Sequence, residues 1–467
     1  MSTTDITLPA ATISDSRGAA AEMSVAATLL PVVEPCTSAN SIVSPVSRVY
    51  SRLMQLDARN NDRTHDIVVV GASGFTGRLV VEYLAGRYPV DAPLRWAVAG
   101  RNRAKIDRVI AEYCPAGNSP AVLVVDSHDG IALRKLARDT RVVLTTVGPY
   151  ANYGSELVAA CAACGTHYCD LAGEPQWIRQ MIDEHQSSAR KSGARIVPGC
   201  GFDSIPSDIG VFFLQQQARA IYGKTCDDIV LLVRGISGGA SGGTFASMLN
   251  AIEEAQKDRK IASILGHPYS LNPQGERDGP DGRDQTGVRY NAAAAAWTAP
   301  FVMAAINTRI VRRTNALLDY SYGREFRYRE ATCTGSGFGG WWKSVVMAGG
   351  LACLMLACSF EFTRSALVRR VIPAPGQGPS RQQRENGYFD LRLFGTTEDG
   401  EAIQARVRGD RDPGYGSTSR MLSESAICLA EDRLQVGGGF WTPASAMGQP
   451  LMERLISNAG LTFELVS

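Results

Sequence analysis

One stretch limits what this chain can become. Asp66 to Leu84 reads DIVVVGASGFTGRLVVEYL. Ile67 to Val70 are apolar at every position, as suits a strand covered on both faces of a parallel sheet. Gly71, Gly74 and Gly77 follow, and then Leu79, Val80, Tyr83 and Leu84 recur at helical spacing. Strand, glycine turn and helix in that order predict a dinucleotide cradle. Gly71 permits a tight turn off the strand, and Gly74 lets the backbone approach a pyrophosphate. Gly77 lets the helix pack against the strand, with the helix amino terminus facing the anion. Ser73, Phe75 and Thr76 fill the same loop and join the predicted cofactor-binding residues. The spacing is G-x-x-G-x-x-G, a variant of the commoner G-x-G-x-x-G.

Strands and helices continue to alternate from there to about Pro198. Leu94 to Ala99, Ala121 to Val125, Val142 to Thr146, Tyr168 to Leu171 and Arg195 to Val197 read as further strands. The alternation predicts a doubly wound parallel sheet, whose ligands lie beyond the carboxyl ends of the strands. The end of the second strand chooses the cofactor. An enzyme selective for NAD places a carboxylate there to hold the ribose 2′-hydroxyl. This chain has AGRN, with Arg101 and Asn102 and no acid. A guanidinium suits the 2′-phosphate, so NADP is expected. Asp126 and Ser127 end the third strand on the adenine side. Val147, Gly148 and Pro149 end the fourth, beside the nicotinamide half.

Length and charge exclude some classes. The 467 residues allow two or three domains, and a net charge of +2 offers no field for nucleic acid. Eleven cysteines, odd in number and mostly in apolar surroundings, fit a reducing compartment. Cys161, Cys164, His167 and Cys169 lie close in sequence, but Gly165 divides a helix from a strand between them. They read as buried thiols, and no metal site is expected. Residues 1–62, rich in Ala, Ser and Thr with scattered acids, match neither a transit peptide nor a secretory signal and read as a disordered extension, with a short helix near Arg48 to Leu56.

Beyond Gly199 the pattern loosens. GCGFDSIPSD (199–208) is a polar turn before a helix, Ile229 to Val233 is a strand, and Phe245 to Ala255 is helical. Residues 266–296 read as a long loop. In the helix begun by Pro300, Met303, Asn307, Val311 and Asn315 share one face, which either lines a cavity or packs with a satisfied polar pair. Gly387 to Phe394 and Ala402 to Gly409 are strands. DPGYGST (412–418) is a turn, and helices follow at Arg420 to Ala430 and Leu451 to Ala459.

These motifs carry a resemblance. GASGFTGRLVVEYL, AGRN, TTVGPYANYG, YCDLAGE and VPGCGFDSIPSD resemble the saccharopine dehydrogenase-like oxidoreductases. SGGTFASMLN, APFVMAAINTRIVRRTNALL, PAPGQGPS and DPGYGSTSRMLSESAICLA resemble the trans-acting enoyl reductase branch. The resemblance spans about residue 64 to the end. It implies an NADP-binding domain, a second domain, and association with a membrane or lipid droplet. WWKSVVMAGGLACLMLACSF (341–360) agrees with the last. It is uncharged after Lys343, headed by paired tryptophans and followed by Arg364, Arg369 and Arg370, and it is near the ~20 residues a span requires. Insertion into a membrane face without full spanning is the expectation, on the cytosolic face of an organelle or droplet.

The expected fold is therefore α/β: a Rossmann-type doubly wound parallel sheet with a second α+β domain and a hydrophobic membrane-contacting segment. The division runs 63–200 for the NADP-binding domain, 201–340 for the substrate domain, 341–370 for the hydrophobic segment and 371–467 for the rest of the second domain. The chain has no Tyr-x-x-x-Lys pair, no H-E-x-x-H and no Walker loop. The expected reaction is reduction by NADPH of a double bond in a lipidic acyl chain, held as a thioester or on a carrier protein, in lipid or glycolipid biosynthesis. Tyr150 is the first candidate proton donor, and Asp203 and Ser204 are candidates facing the same cleft. A non-catalytic NADP-binding protein on a membrane or droplet and a saccharopine-type amino-acid reductase remain as alternatives. A homo-oligomer is left open.

Overall fold

The computed structural model describes residues 62–89, 93–115, 119–238, 242–363 and 378–466. The expected amino-terminal extension, the arginines after the apolar run and most of the PAPGQGPS linker lie outside the described residues.

Six strands follow the expected order: β1 (His65–Val70), β2 (Trp96–Gly100), β3 (Ala121–Val124), β4 (Thr140–Thr145), β5 (His167–Cys169) and β6 (Arg195–Val197). They pair in parallel in the order β6-β5-β4-β1-β2-β3. The unbroken apolar run of β1 explains how this sheet is covered. Ile67 and Val69 join one core with Val80 and Leu84 of helix Phe75–Arg87. Val68 and Val70 join another with Leu133, Val158 and Ile178 from helices on the opposite face. Both faces are thus buried, as a parallel sheet needs.

A second sheet is built from β7 (Cys226–Ser237), β8 (Arg289–Asn291), β9 (Ala296–Ala299), β10 (Arg327–Gly335), β11 (Tyr388–Thr397), β12 (Ala402–Gly409) and β14 (Leu461–Leu465). Its order is β14-β12-β11-β7-β10-β9-β8, antiparallel except for β7 beside β10. Helix Ile205–Tyr222 packs its Ile209 and Leu214 on the Leu231, Leu393 and Val407 face.

The last residues do not stay with the second sheet. β13 (Gly439–Phe440) adds to β6 as a seventh parallel strand, and helix Thr418–Glu431 lies across β4, β5 and helix Phe75–Arg87. The fully buried Met421, Leu422 and Ile427 make that contact apolar.

Two local readings change, and one open choice is decided. The 266–296 loop is not a loose excursion: Asp281 pairs with Arg312 at 2.6 Å and Asp284 with Arg309 at 2.8 Å, both arginines being buried in helix Ala304–Leu317. The Asn307 and Asn315 stripe of that helix is packed. Asn307 donates to Glu330 Oε2 at 2.9 Å, while Asn315 accepts from Tyr322 N and donates to the Gly323 carbonyl. The final helix starts at Pro443 and kinks at Gly448, just before Pro450.

The apolar run forms helix Gly337–Ser359, long and apolar enough to cross a membrane by length and composition. One edge of it lies on β9 and β10, where the buried Ser344 hydroxyl bonds Thr334. Only Gly340, Ser344 and Cys358 in it are fully buried.

Candidate active site

The carboxyl ends of β4, β1, β2 and β3 lie side by side, and the expected cofactor residues occupy them. Gly71 leaves β1 with φ +90°, in the left-handed region. A Cβ there would also meet Val147 Cγ2 at 2.6 Å, so turn and close approach both require glycine. A Cβ on Gly77 would stand 2.1 Å from the Gly71 carbonyl oxygen; the helix reaches the strand because that side chain is missing. Gly74 is different. Its φ of −74° suits any residue, and a Cβ would meet only the Gly71 oxygen at 3.3 Å. Gly74 is the helix N-cap, no side chain caps the helix, and no acid stands in its first turn. The amino-terminal N–H groups and the positive end of the helix are left for an anion.

Arg101 follows β2, exposed and without a hydrogen bond or ion pair among the described residues. Asn102 accepts from Lys105 N at 3.0 Å and caps the next helix. Val125 N donates to the Gly100 carbonyl at 3.2 Å, which sets Asp126 and Ser127 beside the end of β2. Asp126 is tied into its own turn by accepting from His128 N. Ser73 and Thr76 are half-buried in the glycine turn, and Val147, Gly148 and Pro149 lead out of β4 beside it. These residues fit a bound NADP. Phe75 is the exception. Its ring is buried against Tyr415, centroids 4.6 Å apart, with the Arg78 guanidinium 4.4 Å above it. Its side chain fastens the turn to the carboxyl-terminal part of the chain, and only its backbone remains for the cofactor.

The catalytic candidates separate. Tyr150 is buried, its hydroxyl donates to the Thr145 carbonyl at 3.2 Å and accepts from Leu171 N at 3.0 Å, and its ring stacks near Trp177. Burial, and then the charge of Asp170, push its pKa well up. A hydroxyl engaged in two backbone bonds ties the end of β4 to the segment just after β5.

Asp203 and Ser204 lie beyond β6, across β5 from Tyr150. Asp203 as a residue is half-buried, and burial of its carboxyl, with Asp170 adding to it, raises its pKa to about 7. A carboxylic acid that keeps its proton near neutrality is a competent donor. The Ser204 hydroxyl is fully buried without a hydrogen-bond partner.

Sequence reasoning gave no role to three other groups. Asp170, at the end of β5, accepts from Tyr168 Oη at 2.8 Å and from Ala172 N and Gly199 N at 2.9 Å, joining β5 to β6; burial lifts it to about 6. Its signal was an acid directly at a parallel strand's carboxyl end. Glu174 accepts from Tyr150 N at 2.8 Å, Ala151 N at 3.0 Å and Ser247 Oγ at 2.7 Å. The DPGYGST turn is one turn of π-helix, Pro413–Ser417, capped by Asp412. It carries Tyr415 onto Phe75, and Thr418 accepts from Phe202 N at 3.0 Å. The turn thereby links the glycine cradle to the Asp203 segment.

A glycine cradle with an open helix terminus, an exposed arginine where a 2′-phosphate would lie and a neutral-range acid beyond β6 of the same sheet suit an NADP-dependent oxidoreductase. Residues 67–197 match the family described as saccharopine dehydrogenase NADP binding domain. A Mycobacterium tuberculosis (strain H37Rv) protein named provisionally as a trans-acting enoyl reductase is 43% identical over 404 residues, covering 84% of this chain and 96% of its own length. The Mycobacterium ulcerans protein named trans-acting enoyl reductase is 38% identical over 408 residues, with the same shares. Apo saccharopine dehydrogenase (L-Glu forming) from Saccharomyces cerevisiae aligns with a TM-score of 0.49 at 12% identity, covering 86% of this chain and 100% of that one. The chain belongs to the trans-acting enoyl reductase family of saccharopine dehydrogenase-like oxidoreductases.

Proposed function

We propose that the protein reduces the α,β-double bond of a long lipidic acyl thioester, free or carrier-bound, in lipid or glycolipid biosynthesis. The observation that carries this reading is Asp203, a carboxyl with a pKa of about 7 at the strand-end rim that holds the NADP residues. Bound NADPH supplies the hydride, to the β-carbon. Charge then grows on the thioester oxygen, which needs a hydrogen-bond donor. The unpartnered Ser204 hydroxyl is the candidate. Asp203 protonates the α-carbon. Tyr150, held by Glu174 through its backbone, ties the end of β4 to the segment after β5.

The test is purified protein with NADPH and a panel of enoyl, keto and imino substrates. Enoyl thioesters should oxidise the cofactor. Asp203→Asn should lower kcat by roughly 10²- to 10⁴-fold, the usual share of a general acid, with NADPH affinity unchanged. Oxidation by a keto or imino substrate alone overturns the enoyl assignment.

The same reading places the protein on a membrane or lipid-droplet surface. Helix Gly337–Ser359 keeps Trp342 55% and Leu356 63% exposed beside Phe338, Met347 and Phe360, a larger apolar face than an isolated surface residue explains. With one edge packed on β9 and β10, the helix suits lying in an interface rather than crossing it. Wild-type protein should float with phospholipid vesicles and Leu356→Asp should not. Equal flotation of the two removes this part.

A further inference from the structure

The apolar helix does more than present an outer face. Between it, β7, β10 and the Pro300–Val302 segment lies a groove of about 550 Å³, within the ~300–1,000 Å³ typical of small-ligand sites. Val233, Ile236, Phe301, Cys333, Met347 and Leu351 line it, and the one charged side chain on its walls is Arg234. Gly350 also lines it, and a Cβ there would touch nothing within 4 Å, so the helix leaves room at this point.

The groove leads toward the cofactor cradle along β7. That strand ends at Ser237, and a Cβ on Gly238 would lie 2.7 Å from the Asp412 Cβ. Asp412 caps the turn whose Tyr415 packs on Phe75 at the start of the cofactor helix. One wall of the apolar slot, at Ile236, therefore lies two residues along the chain from the Gly238 contact with the segment that joins cradle and acid. Its size suits a single alkyl chain rather than a protein partner, and its walls offer that chain almost no polar competition.

We propose that this groove holds the alkyl tail of the acyl substrate, with the thioester end toward Gly238 and the DPGYGST turn. The inference rests on the enoyl reductase reading for the identity of the substrate, and it makes the apolar helix a wall that sets chain length.

Two measurements test it. In the first, NADPH oxidation is followed over a graded series of enoyl coenzyme A thioesters from crotonyl to octadecenoyl. Each added methylene buried in the groove should raise kcat/KM by up to about fourfold until the slot is full. Gly350→Phe, which fills the slot from an open position, should stop that rise several carbons earlier. Gly349→Phe, also open but not lining the groove, should behave as wild type. In the second, which needs no turnover, Cys333 is alkylated with N-ethylmaleimide with and without saturated palmitoyl-coenzyme A. Cys333, on β10, should be protected at least fivefold, while the exposed Cys353 of the apolar helix should not. Protection of Cys333 without turnover on any enoyl thioester supports the groove and defeats the reaction. Turnover with neither Cys333 protection nor a Gly350→Phe shift overturns the groove.

Discussion

The glycine cradle makes a prediction in which two neighbouring substitutions act by different means. At Gly77 an added Cβ would stand 2.1 Å from the Gly71 carbonyl oxygen and 2.9 Å from Ala72 Cα. The first contact is about 0.9 Å inside the 3.0 Å that real Cβ atoms respect, and both neighbours are backbone. Gly77→Ala must therefore lift the helix from β1, where Val80 and Leu84 pack, at an overpacking cost of about 1–3 kcal/mol. Gly74→Ala meets only one oxygen, at 3.3 Å, with a backbone any residue adopts, so stability should change by less than about 0.5 kcal/mol. Its methyl group, however, would stand where a pyrophosphate must approach the helix terminus. Losing one charge-assisted hydrogen bond there costs about 1.5–3 kcal/mol, roughly 10- to 150-fold in NADPH affinity. Urea denaturation reads the stability, and NADPH fluorescence titration reads the affinity. Gly74→Ala should keep the first and lose the second, and Gly77→Ala should lose both. NADPH binding by Gly74→Ala at wild-type strength would refute the anion site, and a Gly77→Ala protein as stable as wild type would refute the packing argument.

Arg101→Ala should weaken NADPH by more than about tenfold and leave NADH nearly unchanged, because only the former carries a 2′-phosphate; parallel titrations decide it, and equal weakening sinks the assignment. Tyr150→Phe leaves Leu171 N without its partner and should cost about 1–3 kcal/mol of stability in denaturant titration, while the folded fraction keeps kcat within a few-fold. A hundredfold loss of kcat at unchanged stability would make Tyr150 the donor. The acid form of Asp203, whose pKa is raised to about 7, is present below that pH and lost above it, so kcat should fall about tenfold per unit as pH rises beyond 7. The Asp203→Asn residual rate should lack that limb; a limb that persists belongs to another group.

The parallel sheet was legible because its evidence is local. An all-apolar strand, a glycine turn and a periodic helix each occupy a few consecutive residues, and alternation then orders the sheet. The cofactor residues follow as strand ends. What stayed hidden depends on distant partners. Nothing around Gly439–Phe440 says that it adds a strand to the first sheet. The burial of Arg309 and Arg312 depends on Asp284 and Asp281, some thirty residues earlier, which pair with them. Phe75 looked like part of a cofactor loop because its partner Tyr415 is far away in sequence.

The same limit applies to the candidate proton donors. Tyr150 and Asp203 both sit just past parallel strands, and residue type alone favours neither. Their roles divide on what closes around each: Thr145 and Leu171 consume both capacities of the Tyr150 hydroxyl, whereas Asp203 is left in a poorly solvated site beside Asp170. The apolar helix shows the converse. Because it is apolar around almost its whole circumference, its composition predicts contact with lipid or core yet cannot say which edge does which. The edge is set by one polar residue, Ser344, which is buried because Thr334 of β10 accepts it as a hydrogen-bond partner. Turning the helix about that anchor sets Val346, Met347, Gly350 and Leu351 over the groove and leaves Leu356 outward. A single hydroxyl pair thus fixes which edge of an apolar helix lies on the second sheet and which stays exposed.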